Sequence, residues 1–179
     1  MSIAREYASY YLAFALILAG LSGCASTVKP GFKPVDLNGR KIGKVGVAIK
    51  EETAAHGKVN SLFKTDLLTA AVEKALKESD LLLDGAPLDL QVEVTDLKMR
   101  STFSAVMFGF MAGADVLTGN VYLKNESGET TGDFHVSASY ALGGIGGGQD
   151  QLRLSELYNQ FGKAVVKALN KAGQKVAMK

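Results

Sequence analysis

Residues 88–95, Leu88-Asp89-Leu90-Gln91-Val92-Glu93-Val94-Thr95, place an aliphatic side chain at every even position and a polar one at every odd position. Side chains of an extended chain point alternately to opposite faces, so this pattern predicts a strand with one buried and one wet face. It continues towards Met99. The segment before it has another period. Leu62, Phe63, Leu67, Leu68, Ala71, Val72, Ala75 and Leu76 recur at helical spacing, while Lys64, Asp66, Glu73, Lys74 and Lys77 fill the other side. Asn60 or Ser61 is the expected N-cap, and Ser79-Asp80 with Gly85-Ala86-Pro87 marks the exit and a turn. Val45, Val47 and Ile49 alternate in the same way further upstream. Residues 42–99 therefore read as strand, helix and strand, a βαβ unit or an equivalent layer of helix on sheet.

Downstream, Asp115–Lys124 resumes strand character with Leu117, Val121 and Leu123 on one face. Asn125-Glu126-Ser127-Gly128-Glu129 is a turn, with glycine supplying a positive φ. The returning strand sets Phe134, Val136, Ala138 and Tyr140 against His135, Ser137 and Ser139, which completes an antiparallel hairpin. A last helix, from about Leu152 to Ala172, would bury Leu154, Leu157, Phe161, Val165, Ala168 and Leu169. Lys163, Lys167, Lys171, Lys175 and Lys179 give it a solvated basic face. The expected fold is α+β: a mostly antiparallel sheet of about four strands with two amphipathic helices packed on one face, in the order β-α-β-β-β-α.

The N-terminus gives an address. Arg5 precedes the apolar run Tyr10–Gly20, which ends in Leu21-Ser22-Gly23-Cys24. A spanning helix needs about 20 apolar residues, so this run is short for a permanent anchor and fits a signal peptide. A leucine three places before a cysteine, with small residues between, resembles the lipobox of bacterial lipoprotein precursors. The resemblance implies cleavage after Gly23 and attachment to the membrane through diacylglyceryl and acyl (palmitate) chains on Cys24. Each buried methylene contributes about 0.8 kcal/mol, so two or three chains hold permanently. Ser26, where aspartate retains many such proteins at the inner membrane, favours the periplasmic leaflet of the cell outer membrane; inner-membrane retention and surface exposure stay open. Residues 1–23 are thus the signal peptide and 24–41, with Pro30, Gly31, Pro34 and Gly39, a lipidated N-terminus and flexible linker. Residues 42–179 form a single domain.

Composition narrows the chemistry. Cys24 is the sole cysteine, so once acylated it leaves no thiol for disulfides, metal ligation or nucleophilic attack. A formal net charge of +2 without a clustered basic face argues against a nucleic-acid partner. His56 and His135 lack carboxylate partners at a recognisable spacing, and neither H-E-x-x-H nor G-x-S-x-G occurs. Asp115, Asp133 and Asp150 would form a carboxylate cluster only if folding gathered them. The glycine-rich Gly143–Gly148 lacks the lysine and hydroxyl of a phosphate loop, so it reads as a connector. No enzymatic activity, cofactor or metal is expected.

Phe103–Ala114 (FSAVMFGFMAGA) is the unusual stretch, twelve residues without a charge. It reads as a buried segment closing the core, as a surface of Phe103, Val106, Met107, Phe108, Phe110 and Met111 that meets a membrane or a partner, or as a thioether site at Met107 and Met111. Its composition favours the first. Two thioethers alone are too few for the third.

Val45-Gly46-Val47 in an early strand, the long amphipathic helix, Gly113-Ala114-Asp115 at a strand start, Glu126-Ser127-Gly128-Glu129 at a hairpin, the Gly143–Gly148 run and the closing helix also carry a likeness. Over residues 42–172 the chain resembles an uncharacterised family of small proteobacterial lipoproteins of unknown function. The resemblance implies a backbone and no activity. In layout it is also similar to αβ domains of periplasmic proteins in envelope assembly and secretion. The expected function is a lipid-anchored, periplasm-facing module that binds or scaffolds another envelope component, in the first instance a protein. The alternatives are a carrier of a small apolar or lipid ligand in a cavity lined by Phe103, Phe108 and Phe110 and, last, an envelope hydrolase.

Overall fold

The computed structural model describes residues 24–55, 61–142 and 149–176. Its strands are β1 Cys24–Pro30, β2 Ile42–Ile49, β3 Leu88–Lys98, β4 Asp115–Lys124 and β5 Thr130–Tyr140. Its helices are α1 Glu51–Ala55, α2 Thr65–Glu78, α3 Thr102–Phe108 and α4 Asp150–Val176, with a 3-10 turn at Gly109–Ala112. The α+β class is as expected, but the single open sheet has five strands rather than about four, in the order β1-β5-β4-β3-β2. Three pairings are antiparallel, while β2 and β3 run parallel. That exception follows from α2, which carries the chain back along the sheet so that β3 starts beside the start of β2.

The added strand comes from residues 24–41, expected as a linker. Cys24 pairs with Tyr140 and the ladder runs on to Pro30 with Phe134. β5 would otherwise present a bare edge of amides and carbonyls, which β1 saturates. Val28 also packs against the core. The proline and glycine that suggested a linker fall at the end of β1 and beyond it. There the Asp133 carboxylate accepts the Phe32 and Lys33 amides at 3.0 and 2.6 Å.

One sheet face carries the core. Leu88, Leu90, Val92 and Val94 are fully buried, joined by Leu117, Val121 and Leu123 of β4 and by Phe134, Val136 and Ala138 of β5. Both long helices lie on this face, α2 over β2 and α4 over β4, β5 and β1. The hairpin turns at Gly128 with φ 78°, as its sequence required, and the Asn125 side chain accepts the Glu129 amide at 2.9 Å.

The first long helix departs from expectation at its start. It begins at Thr65 with Lys64 at the N-cap position, so the expected cap Ser61 falls short of it; Asn60 lies outside the described residues. The orphan amide of Lys64 instead donates to the Tyr158 hydroxyl of α4 at 3.0 Å. Phe63 is buried with its ring edge-on to Tyr158, centroids 5.5 Å apart. A tertiary contact thus replaces the local cap. The shift turns Leu62 and Leu67 outward, leaving Leu68, Val72 and Leu76 as the buried stripe.

Two glycines permit close approach. A Cβ on Gly119 would sit 3.2 Å from Phe161 Cζ, so its absence lets that ring lie on β4. A Cβ on Gly162 would sit 2.8 Å from the Ala71 carbonyl oxygen, where α4 touches α2. Gly162→Leu is therefore expected to lower stability by about 1–3 kcal/mol through overpacking, against a small gain in helix propensity. Urea unfolding would register this as a lower midpoint at unchanged slope; an unchanged midpoint would mean that the helices separate freely.

Candidate interaction surface

The excursion between β3 and β4 rests on charges taken out of water. Asp115 opens β4 on its core-facing side and is fully buried. Arg100 and Arg153 meet it with side chains 4% and 0% exposed. Arg100 donates to Oδ1 from its backbone amide at 2.7 Å and from Nε at 3.3 Å, and its Nη2 reaches Oδ2 at 3.0 Å. Arg153 Nη1 bridges the two carboxylate oxygens at 2.9 and 3.1 Å. Its Nη2 donates to the Arg100 carbonyl at 3.1 Å and to Asp150 Oδ1 at 2.5 Å. Two guanidinium groups thus face two carboxylates, and the cluster is formally neutral. Removing one partner from such a buried set leaves an uncompensated charge.

The remaining Arg100 donors hold the chain around it. Nη1 donates to the carbonyls of Gly109 and Gly113 at 2.7 and 3.1 Å, and Nη2 to those of Tyr140 and Leu142 at 3.3 and 3.1 Å. One side chain therefore ties the end of β3 to the far end of the excursion and to the exit of β5.

On this base stands α3. Ser101 caps it by accepting the Ser104 amide at 3.1 Å. Ala105 is its buried residue, and Thr102 Oγ1 donates to Asp150 Oδ1 at 3.3 Å. The segment was expected to close the core; instead its large side chains face outward. Phe103 is 67% exposed, Met107 63%, Phe108 55% and Met111 79%, with Val106 less so. The side chain of Phe110 lies outside the described set. Phe103 and Phe108 meet edge to face with centroids 6.2 Å apart. Leu142 and Leu152, beside the cluster in sequence, are exposed too. The reason lies in what occupies the core: helices α2 and α4 already cover the sheet, and the small Ala105 is what the remaining space accepts.

The other candidates fall elsewhere. His56 and Gly143–Gly148 lie outside the described residues. Asp115 and Asp150 do converge, on Arg153, whereas Asp133 binds backbone amides beside Pro30 at the opposite end of the sheet. His135 sits on the wet face of β5, in register with Asn120, Glu93 and Lys29 across the sheet. Its Nδ1 is 3.0 Å from Asn120 Oδ1, while Asn120 and the Tyr122 hydroxyl donate to Glu93, each at 3.3 Å. A carboxamide thus separates the imidazole from the carboxylate. A groove of about 550 Å³ runs between α2 and α4, lined by residues including Leu62, Leu67, Leu154 and Tyr158. Phe103 and Phe108 are not among the residues that line it.

Arg100 and Arg153 were missed by sequence reasoning, although a signal was present. Asp115 shares the face of Leu117, Val121 and Leu123, and an acid in that register calls for a buried cation. Arg153 precedes Leu154 and stands four residues before Leu157, on the apolar stripe of the last helix.

Residues 34–144 match a family described as a domain of unknown function, DUF4410. The chain belongs to that family. The matched span of this DUF4410 protein takes in β2 to β5 and the excursion with Arg100 and Asp115, while β1 and α4 lie outside it. No curated protein sequence matches the chain. Among solved structures it is similar to PelC of Paraburkholderia phytofirmans, a dodecamer, at 13% identity and a TM-score of 0.49, covering 81% of this chain and 97% of that one. It is also similar to a Xanthomonas campestris protein assigned to DUF330, at 12% identity and a TM-score of 0.44, covering 84% and 93%.

Two outcomes follow from the electrostatics. Asp115→Asn removes the central anion without changing its size and is expected to cost about 3–5 kcal/mol in urea unfolding. Lys74→Ala breaks an exposed pair with Glu78, 3.9 Å long, and is expected to cost less than about 0.5 kcal/mol. Equal losses would mean that the buried cluster is not integral to the fold. For His135, burial first and the Lys29 ammonium second push the imidazole pKa below its ordinary value. The folded state binds that proton more weakly than the unfolded chain. This contribution is therefore complete above about pH 6.5 and is lost as the pH falls below it. Thermal unfolding near pH 7.5 and pH 5.5 should show a smaller pH difference in His135→Asn than in the parent; an identical difference would contradict this.

Proposed function

We propose that this protein is a lipid-anchored component of the bacterial cell envelope that works as a binding or scaffold module rather than an enzyme. Cys24 is its acylated residue, and the periplasmic leaflet of the outer membrane is its site. The observation that carries the reading is the uncharged, exposed surface of Phe103, Val106, Met107, Phe108 and Met111. These large apolar side chains stand on a base fixed by a buried ionic clamp, and contiguous exposed apolar patches mark sites of association. The ligand-carrier alternative has less to rest on, because Phe103 and Phe108 are each more than half exposed. The hydrolase alternative has no imidazole–carboxylate contact at His135 to build on.

Two measurements test the proposal together. Metabolic labelling with an alkyne fatty acid should mark the parent protein and fail in Cys24→Ala; persistent labelling of the variant would sink the anchor. A photo-crosslinking amino acid at Phe108 should give envelope adducts, protein or lipid, that the same group at the exposed Lys74 of α2 does not. Equal adducts at both positions, or none at Phe108, would remove the excursion as the binding surface.

A further inference from the structure

We infer that the envelope component met by the 103–111 surface is the phospholipid bilayer itself, so that the domain lies against the membrane at two points: the N-terminus at Cys24 and the apolar excursion. The inference rests on the anchor proposed above and adds the occupant of the surface.

The sheet register carries the argument. Cys24 pairs with Tyr140, and Tyr140 pairs on its other side with Asp115. Three neighbouring strands therefore bring the anchor residue and the foot of the excursion into one row. At about 4.8 Å per strand, their backbones lie about 10 Å apart. The excursion ends just before Asp115, Leu142 stands two residues beyond Tyr140, and Leu152 sits in the first turn of α4. Phe103, Met107, Phe108, Met111, Leu142 and Leu152 are all exposed at this end of the molecule.

The start of β1 makes the proximity binding. Cys24 is itself the first residue of the strand, so no free linker separates the acylated residue from the sheet. A domain on a long tether could turn any face to the bilayer. A domain whose first ladder residue carries the lipid must hold that end of its sheet at the membrane. Residues 101–114 contain no charged side chain, so their approach to hydrocarbon desolvates no ion. Acyl chains already supply durable attachment, and they hold the surface at a high effective concentration near the lipid, where weak partitioning suffices. The excursion thus sets orientation rather than affinity.

The test uses the full chain, matured and acylated in cells, purified and reconstituted in phosphatidylethanolamine–phosphatidylglycerol vesicles. Met107→Cys introduces one free thiol for an environment-sensitive fluorophore, Lys74→Cys serves as the control, and the parent, with Cys24 blocked, takes no label. The vesicles contain phospholipid spin-labelled either near the headgroup or deep in the chain. Interfacial elements lie about 5–10 Å into the headgroup boundary. The Met107 label should therefore lose fluorescence to the shallow quencher more than to the deep one, and the Lys74 label to neither. Adding Phe103→Ser and Phe108→Ser should weaken quenching at Met107 while the protein still sediments with the vesicles. If the protein pellets with the vesicles and the Met107 label stays unquenched, the bilayer contact is wrong and the anchor stands. If the parent takes the thiol label and stays in the supernatant, the anchor fails and this inference fails with it.

Discussion

A single buried carboxylate organises the end of the sheet from which the excursion emerges. Asp115 lies at the base of β4 among aliphatic side chains, where a lone anion would be too costly to keep. It is tolerable because Arg100 and Arg153 approach it from the end of β3 and the start of α4, and because Asp150 balances the second cation. Each guanidinium presents more donors than one carboxylate can accept, and the surplus becomes structure. Arg100 spends its Nη1 donors on the two carbonyls that close the excursion. Arg153 spends Nη2 on the carbonyl of Arg100 itself. The result ties three segments remote in sequence by bonds whose directions are fixed, which apolar packing alone would not provide. Among the described residues, Arg153 Nε is the buried side-chain nitrogen without a hydrogen-bond partner, a sign of how crowded the cluster is.

The rest of the fold frees the excursion from any duty in the core. Leu68, Val72 and Leu76 of α2 and Leu157, Phe161, Val165 and Leu169 of α4 cover the aliphatic face of the sheet. Each such side chain contributes about 1.5–3 kcal/mol when withdrawn from water. Gly119 and Gly162 admit the Phe161 ring to the sheet and α2 to α4, so the layer is filled without the large side chains of residues 103–111. An uncharged stretch that the core does not need, on a base that cannot swing, is left to face outward.

The legible part of this architecture was the part written in short periods. Alternation from Leu88 to Val94, from Leu117 to Leu123 and from Phe134 to Ala138 specified strands and their buried faces, because the side-chain period of a strand leaves no choice of face. The last helix was legible through its repeat from Leu154 to Leu169. What could not be read depended on partners distant in sequence. β1 has little periodicity, and its reason for being a strand is the edge of β5. The start of α2 is set by Tyr158, more than ninety residues away. The excursion misled for a plainer reason: hydrophobicity predicts burial only when the core has room, and composition carries no record of how full the core is. Asp115 and Arg153, charged residues standing in apolar registers, were the overlooked clue to the cluster.

Cys24 and the internal apolar stretch acquire a relation only through the sheet. In sequence, Cys24 and Phe103 lie 79 positions apart. In the fold, β1 runs antiparallel to β5 and β5 to β4, so the start of β1 and the start of β4 must lie at the same end. The register permits no alternative, since moving β1 by one residue would turn Val28 from the core to solvent. The clamp at Asp115 fixes where the excursion emerges, and the ladder from Cys24 fixes where the chain enters. An apolar surface placed at random would have the whole exterior available to it. The foot of this one, at Asp115, stands about 10 Å along the sheet from Cys24, and that placement is a consequence of strand pairing rather than of hydrophobicity.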